Sequence, residues 1–182
     1  RMITMQKTGK EFEREMRHSL NNKDMWWMRL QDTSDISRYI KHEKDSGKAT
    51  YNWDKSLAGK QPADFLAVYR SRPILIECKT TRNLTSFPLY NGSSRSIPKH
   101  QITLPSMAQK HGALAFILIR RDEYRNKRVF AITTEQAEYL YKVKGKTRKS
   151  VPWKWFEENA FEVERMKMPL RWHMKPLFEE YI

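Results

Sequence analysis

Phe12, Met16 and Leu20 recur at helical spacing, and one apolar face over residues 7–20 predicts an amphipathic helix. Glu11, Glu13 and Glu15 crowd its first turns, where the helix dipole tolerates acids. The period then changes. Met25-Trp26-Trp27-Met28 predicts a first strand over 25–30. Phe65 to Val68 and Ile74 to Ile76 are apolar runs joined by the short link Tyr69-Arg70-Ser71-Arg72-Pro73, which predicts a hairpin. The continuous apolar run 113–119 predicts a buried central strand, and 128–132 another. Ser96-Ile97-Pro98-Lys99-His100-Gln101 opens a helix that Gly112 stops, and Thr133-Thr134-Glu135 caps a helix through Tyr141. Residues 153–159 form a further short helix after Ser150-Val151-Pro152. Residues 80–89 read as a polar loop, 142–149 as a basic loop, and the tail around Met168-Pro169-Leu170-Arg171-Trp172 shows no clear period. This order predicts an α/β sandwich around a mixed sheet.

Length fits one domain over 1–182, with an insertion at 32–61 and a C-terminal extension at 142–182. The insertion is polar and interleaves Lys41, Lys44, Lys48, Lys55 and Lys60 with Tyr39, Tyr51 and Trp53. Two readings stay open for it: an arm that touches nucleic acid, or a solvated insertion packed on its own aromatics.

Charge sharpens the choice of partner. Thirty-five Lys and Arg face 21 Asp and Glu, a net charge of +14, which favours a polyanion. A single cysteine, Cys78, excludes an internal disulfide and a cysteine-based zinc cluster, and fits a reducing, cytoplasmic setting. No stretch reaches the apolar length of a membrane span, and the N-terminus lacks a signal-peptide core, so no membrane partner is expected.

The candidate chemistry lies on the hairpin. Asp64 heads its first strand, and Glu77 and Lys79 end its second with one residue between them. Alternation puts Glu77 and Lys79 on one face and turns Cys78 to the other. Two carboxylates on neighbouring strands suit Mg²⁺, and a lysine beside them can orient or deprotonate a water. That is the equipment of a metal-dependent phosphodiesterase. The plain alternative is a same-face ion pair on an exposed sheet. The apolar run Ile74-Leu75-Ile76 leading into Glu77 argues against a solvated pair.

Asp64 followed by Glu77-Cys78-Lys79 resembles the Asp…Glu-x-Lys signature of the PD-(D/E)xK nuclease superfamily. Three more features resemble the RecU-like and Hjc-like Holliday junction resolvases within it. They are Gly9-Lys10-Glu11-Phe12-Glu13, the Thr-Ser-Phe-Pro-Leu run ending at Leu89, and His100-Gln101-Ile102 leading to the strand after Gly112. The resemblance covers residues 7–141. It implies a restriction-endonuclease-like core with a mixed central sheet flanked by helices, and it makes the 32–61 insertion the counterpart of a stalk that enters the junction.

The same resemblance implies a homodimer that cuts four-way DNA with Mg²⁺, for which Mn²⁺ can substitute, in a bacterial or phage-infected cell. Asp64, Glu77, the Cys78 backbone carbonyl and Glu13 would ligate the metal. Lys79 would activate water, and Gln101 would position it or touch the phosphate. Arg82, Arg95 and Lys99 join the insertion lysines as candidate DNA contacts. Two rivals remain: a nuclease of the same superfamily acting on duplex, flap or single-stranded DNA, and a junction-binding protein that does not cut.

Overall fold

The computed structural model describes residues 5–30, 61–123, 126–166 and 171–182. A six-stranded mixed sheet forms its centre, flanked by helices on both faces. The chain opens with α1 (Met5–Leu20) and β1 (Met25–Arg29), then β2 (Phe65–Tyr69) and β3 (Arg72–Thr81). Small strands β4 (Ser86–Pro88), β5 (Tyr90–Asn91) and β6 (Ser94–Arg95) precede α2 (His100–Gln109). Then come β7 (Leu114–Arg121), β8 (Arg128–Thr133) and α3 (Thr134–Tyr139). The sheet order is β1-β2-β3-β7-β8 and finally β10 (Phe161–Val163); β3 and β7 run parallel and the other neighbours antiparallel.

Alternation along β2 and β3 sorts the two faces. Phe65, Ala67, Ile74 and Ile76 pack beneath Phe12, Met16 and Leu20 of α1, as the helical spacing predicts. Leu75 and Leu66 turn to the opposite face with Ala63 and Ala115. Further along that face, Ile117, Ile119, Phe130 and Ile132 pack against Phe87, Ile102 and Tyr141. The hairpin turn places Arg70 at φ 47° and Ser71 at φ 65°, a left-handed pair more usual for Asn and Gly. Thr133 caps α3, but through a capping box with Gln136 rather than Glu135.

Three segments differ from the sequence expectation, the first being the expected polar loop at 80–89, where β3 runs on to Thr81 and Ser86–Pro88 form β4. The stretch expected as a basic loop at 142–149 is largely helical: a π-helical turn (Leu140–Lys144) runs into α4 (Gly145–Thr147). Leu140 and Tyr141 are buried on this turn, an anchoring that the cation-rich composition concealed. The tail without a readable period also has a defined place. After β9 (Ser150–Pro152) and α5 (Trp153–Asn159), β10 pairs with β8 at the sheet edge. Strands β11 (Arg165–Met166) and β12 (Arg171–Trp172) pair with each other, and α6 (Met174–Glu180) closes the chain. Trp172, Met174, Leu177 and Phe178 enter the same core as α1. Short elements interrupted by polar residues give no long period, although their apolar residues are buried.

Candidate active site

Asp64 stands one step before β2. Its backbone N–H donates to Ile76 O at 3.0 Å, and its own carbonyl accepts from Leu30 N at 2.9 Å. Phe65 pairs with Ile76, so Asp64 lies across the ladder from Glu77. Asp64, Leu66, Leu75, Glu77 and Lys79 therefore share the face turned away from α1. The Asp64 side chain is fixed: Cys78 N donates to its Oδ2 at 2.8 Å. Lys79 Nζ lies 2.7 Å from Glu77 Oε1. In the parallel ladder, Glu77 pairs with Ile117 and Lys79 with Ile119, so the charged groups continue a face that is apolar on the neighbouring strand.

That setting dominates the electrostatics. Glu77 is only 3% exposed. Burial lifts its carboxyl to about 7; Asp64 and Glu13 add to the rise, and the Lys79 ammonium opposes it. Asp64 is raised as well, chiefly by burial and further by Glu13, while the Cys78 N–H, Lys79 and Arg29 pull it down. Burial also pushes the Cys78 thiol well up, which disarms it as a nucleophile. Glu77 Oε2 is buried without a hydrogen-bond partner among the described residues, and so is Gln101 Oε1 on α2. Buried acceptors with nothing to accept from suit a cation or an ordered water. The carboxylate oxygens of Asp64 and Glu77 are the kind of donor a hard divalent ion takes.

The family profile described as "RecU: Recombination protein U" matches residues 30–175. The chain belongs to the RecU family. It is 31% identical over 113 residues to the Holliday junction resolvase RecU of Pediococcus pentosaceus, covering 62% of this chain and 53% of that one. It is 44% identical over 57 residues to the Holliday junction resolvase RecU of Shouchella clausii, covering 31% of this chain and 25% of that one. The chain thus spans about half or less of the length of these curated relatives. A solved structure of Archaeoglobus fulgidus Hjc, a Holliday junction resolvase, aligns with a TM-score of 0.45 and 17% identity, over 85% of this chain and 95% of that one.

The other candidate residues of this RecU-family chain spread around the hairpin. Glu13 approaches from α1 closely enough for its charge to act on Asp64 and Glu77, but its Oε2 accepts from Arg29 at 2.6 Å. Glu15, its neighbour on the helix, is instead buried beneath Arg120. Among the described residues no three Asp, Glu, His or Cys side chains gather as a ready metal cage. The hairpin pair stands together, with Glu13 engaged beside it. Arg82, Arg95 and Lys99 are exposed. Arg82 Nε lies 3.7 Å from Asp122, and the Arg95 guanidinium sits 4.6 Å from the centre of the Tyr141 ring. Lys41, Lys44, Lys48, Lys55 and Lys60, with residues 32–60 of the insertion for which an arm is one of two readings, lie outside the described residues.

Sequence reasoning missed two supports. Arg29, at the end of β1, restrains Glu13. The loop after Lys79 is also built rather than loose. Asn83 Oδ1 accepts from Thr85 N at 3.0 Å and Ser86 N at 3.2 Å, while Asn83 O accepts from Trp153 Nε1 at 2.9 Å. The spacing Asn83-x-Thr85-Ser86 is a recognisable Asx-turn pattern and was the available signal for the first of these contacts. Nothing local to residues 80–89 announces Trp153.

Proposed function

We propose that this chain is a divalent-metal-dependent endonuclease that cuts four-way DNA, with Asp64, Glu77 and Lys79 as its catalytic residues. The observation that carries the reading is the convergence of these three on one sheet face, where a buried Glu77 oxygen has no partner. Membership of the RecU family, with relatives named Holliday junction resolvases, supports the choice of substrate.

Asp64 and Glu77 would hold the metal, with the Cys78 carbonyl and Gln101 completing its surroundings. When bound, a divalent ion supplies charge neutralisation at the scissile phosphate and an acidified water. The residues do the rest. The Cys78 N–H fixes the Asp64 carboxylate, so little reorganisation is needed before phosphate arrives. Lys79 offsets part of the charge gathered by two carboxylates in a buried site, and its ammonium would orient or activate the attacking water. Glu13, restrained by Arg29, adds negative field at the rim. A two-fold pair of chains would present two such sites to two strands of a two-fold substrate, which yields paired nicks. Mg²⁺ is the metal we assign, with Mn²⁺ as a substitute, and the reducing cytoplasm of a bacterial or phage-infected cell is the setting.

A substrate panel tests this reading. Four-way, flap, duplex and single-stranded DNA are incubated at matched concentration with and without Mg²⁺. The expected result is cleavage of the four-way substrate first, and none in chelator. Preferential cutting of linear duplex would favour a different nuclease specificity. Tight junction binding with no product in either Mg²⁺ or Mn²⁺ would mark a binding protein.

A further inference from the structure

The cation-rich segment at 142–149 takes no part in the site described above. It holds Lys142, Lys144, Lys146, Arg148 and Lys149 and no acid. The π-helical turn buries Leu140 and Tyr141, which leaves Lys142, Arg148 and Lys149 exposed. Lys142 is paired with Glu138 at 2.7 Å, whereas Lys144, Arg148 and Lys149 have no carboxylate partner among the described residues. Unpaired cations on ordered backbone differ from a solvated charge run.

The segment also forms one wall of a cleft. A space of about 360 Å³ is lined by Tyr90, Gly92, Gly145, Thr147, Arg148 and Lys149. Gly145 lets the helical turn close on the β5–β6 hairpin: a Cβ there would stand 3.1 Å from the Tyr90 hydroxyl. Arg95 of the hairpin lies over Tyr141 of the turn. A second and smaller cleft, which also has Arg148 in its wall, is lined by Lys144, Lys154 and Trp155, with Glu158 as its one carboxylate.

Position relative to the catalytic hairpin gives the patch a use. Leu89 N donates to Lys149 O at 2.9 Å, β4 pairs with β9, and Trp153 binds the loop after Lys79 at two points. Ten residues lead from Lys79 to Leu89, which is bonded to Lys149, a path of at most about 36 Å. That is close to one turn of B-form DNA, about 34 Å.

We propose that the 140–149 turn and the β5–β6 hairpin form a second seat for nucleic-acid phosphates, which grips a duplex arm about one helical turn from the scissile phosphate. Arg148 and Lys149 supply the charge, and the glycine-lined backbone admits the strand. The seat rests on the assignment of DNA as substrate, and it adds an affinity site outside the catalytic hairpin.

Binding without metal tests the seat apart from the chemistry. The probes are a synthetic four-way junction and a linear duplex of the same sequence, titrated in chelator at several salt concentrations. The variants are R148A/K149A, the charge-keeping R148K/K149R, and R17A/K23A, which removes two exposed cations from the α1 end. R148A/K149A should bind junction at least tenfold more weakly at 0.1 M salt, and its log–log salt slope should fall by about 2, near 0.9 per phosphate contact. R148K/K149R should bind like the unaltered chain, which separates lost charge from lost folding, and R17A/K23A should change little. A R148A/K149A slope equal to that of the unaltered chain overturns the seat and leaves the nuclease reading standing. An unaltered chain that binds neither probe overturns both.

Discussion

At the residue scale, Glu77 combines two opposing demands. Its carboxylate is needed charged if it is to meet a cation, yet burial holds its pKa up at about 7 despite a lysine 2.7 Å away. The folded chain therefore keeps a proton there that the unfolded chain, with an ordinary value of 4.5, gives up. Stability of the metal-free protein should fall as pH rises from about 4.5 to about 7, by about 3 kcal/mol at most. Glu77→Gln removes that dependence. Urea unfolding in chelator at pH 5 and pH 8 should show the unaltered chain losing more stability than the Gln variant over that interval. Equal losses in the two proteins would mean that Glu77 is already charged at pH 5. The acid pair and the lysine were legible in the sequence because strand alternation alone puts Glu77 and Lys79 on one face. The depth of burial was not legible, because it depends on Ile117 and Ile119 of a strand forty residues away. Arg29 was hidden for the same reason: its partner, Glu13, lies on another element.

At the element scale, the hairpin that carries the site is held by strong strands and a weak turn. Apolar alternation predicted β2 and β3, and their register follows from it. The turn runs against local preference, with Arg70 and Ser71 both in the left-handed region. Ser71→Gly should stabilise the protein by about 0.5–1 kcal/mol, the relieved strain exceeding the added chain entropy. A shift of the urea midpoint to higher concentration with an unchanged slope is the expected reading; a destabilised variant would mean that the Ser71 side chain earns its place. The helices from 100 and from 134 were predictable from Gly112 and from the Thr133 cap. The π-helical turn at 140–144 was not, because five cations and a glycine in eight residues read as solvated chain. Two buried residues, Leu140 and Tyr141, decide its structure, and two apolar residues make no period.

At the scale of the whole molecule, the two ends of the chain meet at a buried charge. Arg120 is fully buried on β7, where it donates to Glu15 Oε2 at 2.8 Å and to Thr8 O at 3.0 Å of α1. The same Glu15 oxygen accepts from Trp172 Nε1 at 3.1 Å, which ties the C-terminal strands to the first helix. This network lies on the α1 face of the sheet, opposite Glu77 and Lys79, and orients the helix that carries Glu13. Removing Arg120 takes the closer cation from the buried Glu15 carboxylate, which keeps Lys127 Nζ at 3.3 Å. Arg120→Met should cost about 3–5 kcal/mol in a urea titration, and the double change with Glu15→Leu should recover much of it. A loss below about 1 kcal/mol for the single variant would show that Lys127 or water takes over from Arg120 at Glu15. None of this was visible from sequence, since Glu15 and Arg120 are 105 positions apart and each looks like a surface charge.

The most direct test of the account is single-turnover cleavage of an end-labelled four-way junction in Mg²⁺, comparing the unaltered chain with Asp64→Asn at equal DNA occupancy. The account predicts product from the unaltered chain and none above the chelator background from the variant, with both proteins binding the junction alike. Cleavage by Asp64→Asn at the unaltered rate, or cleavage by the unaltered chain in chelator, would contradict it.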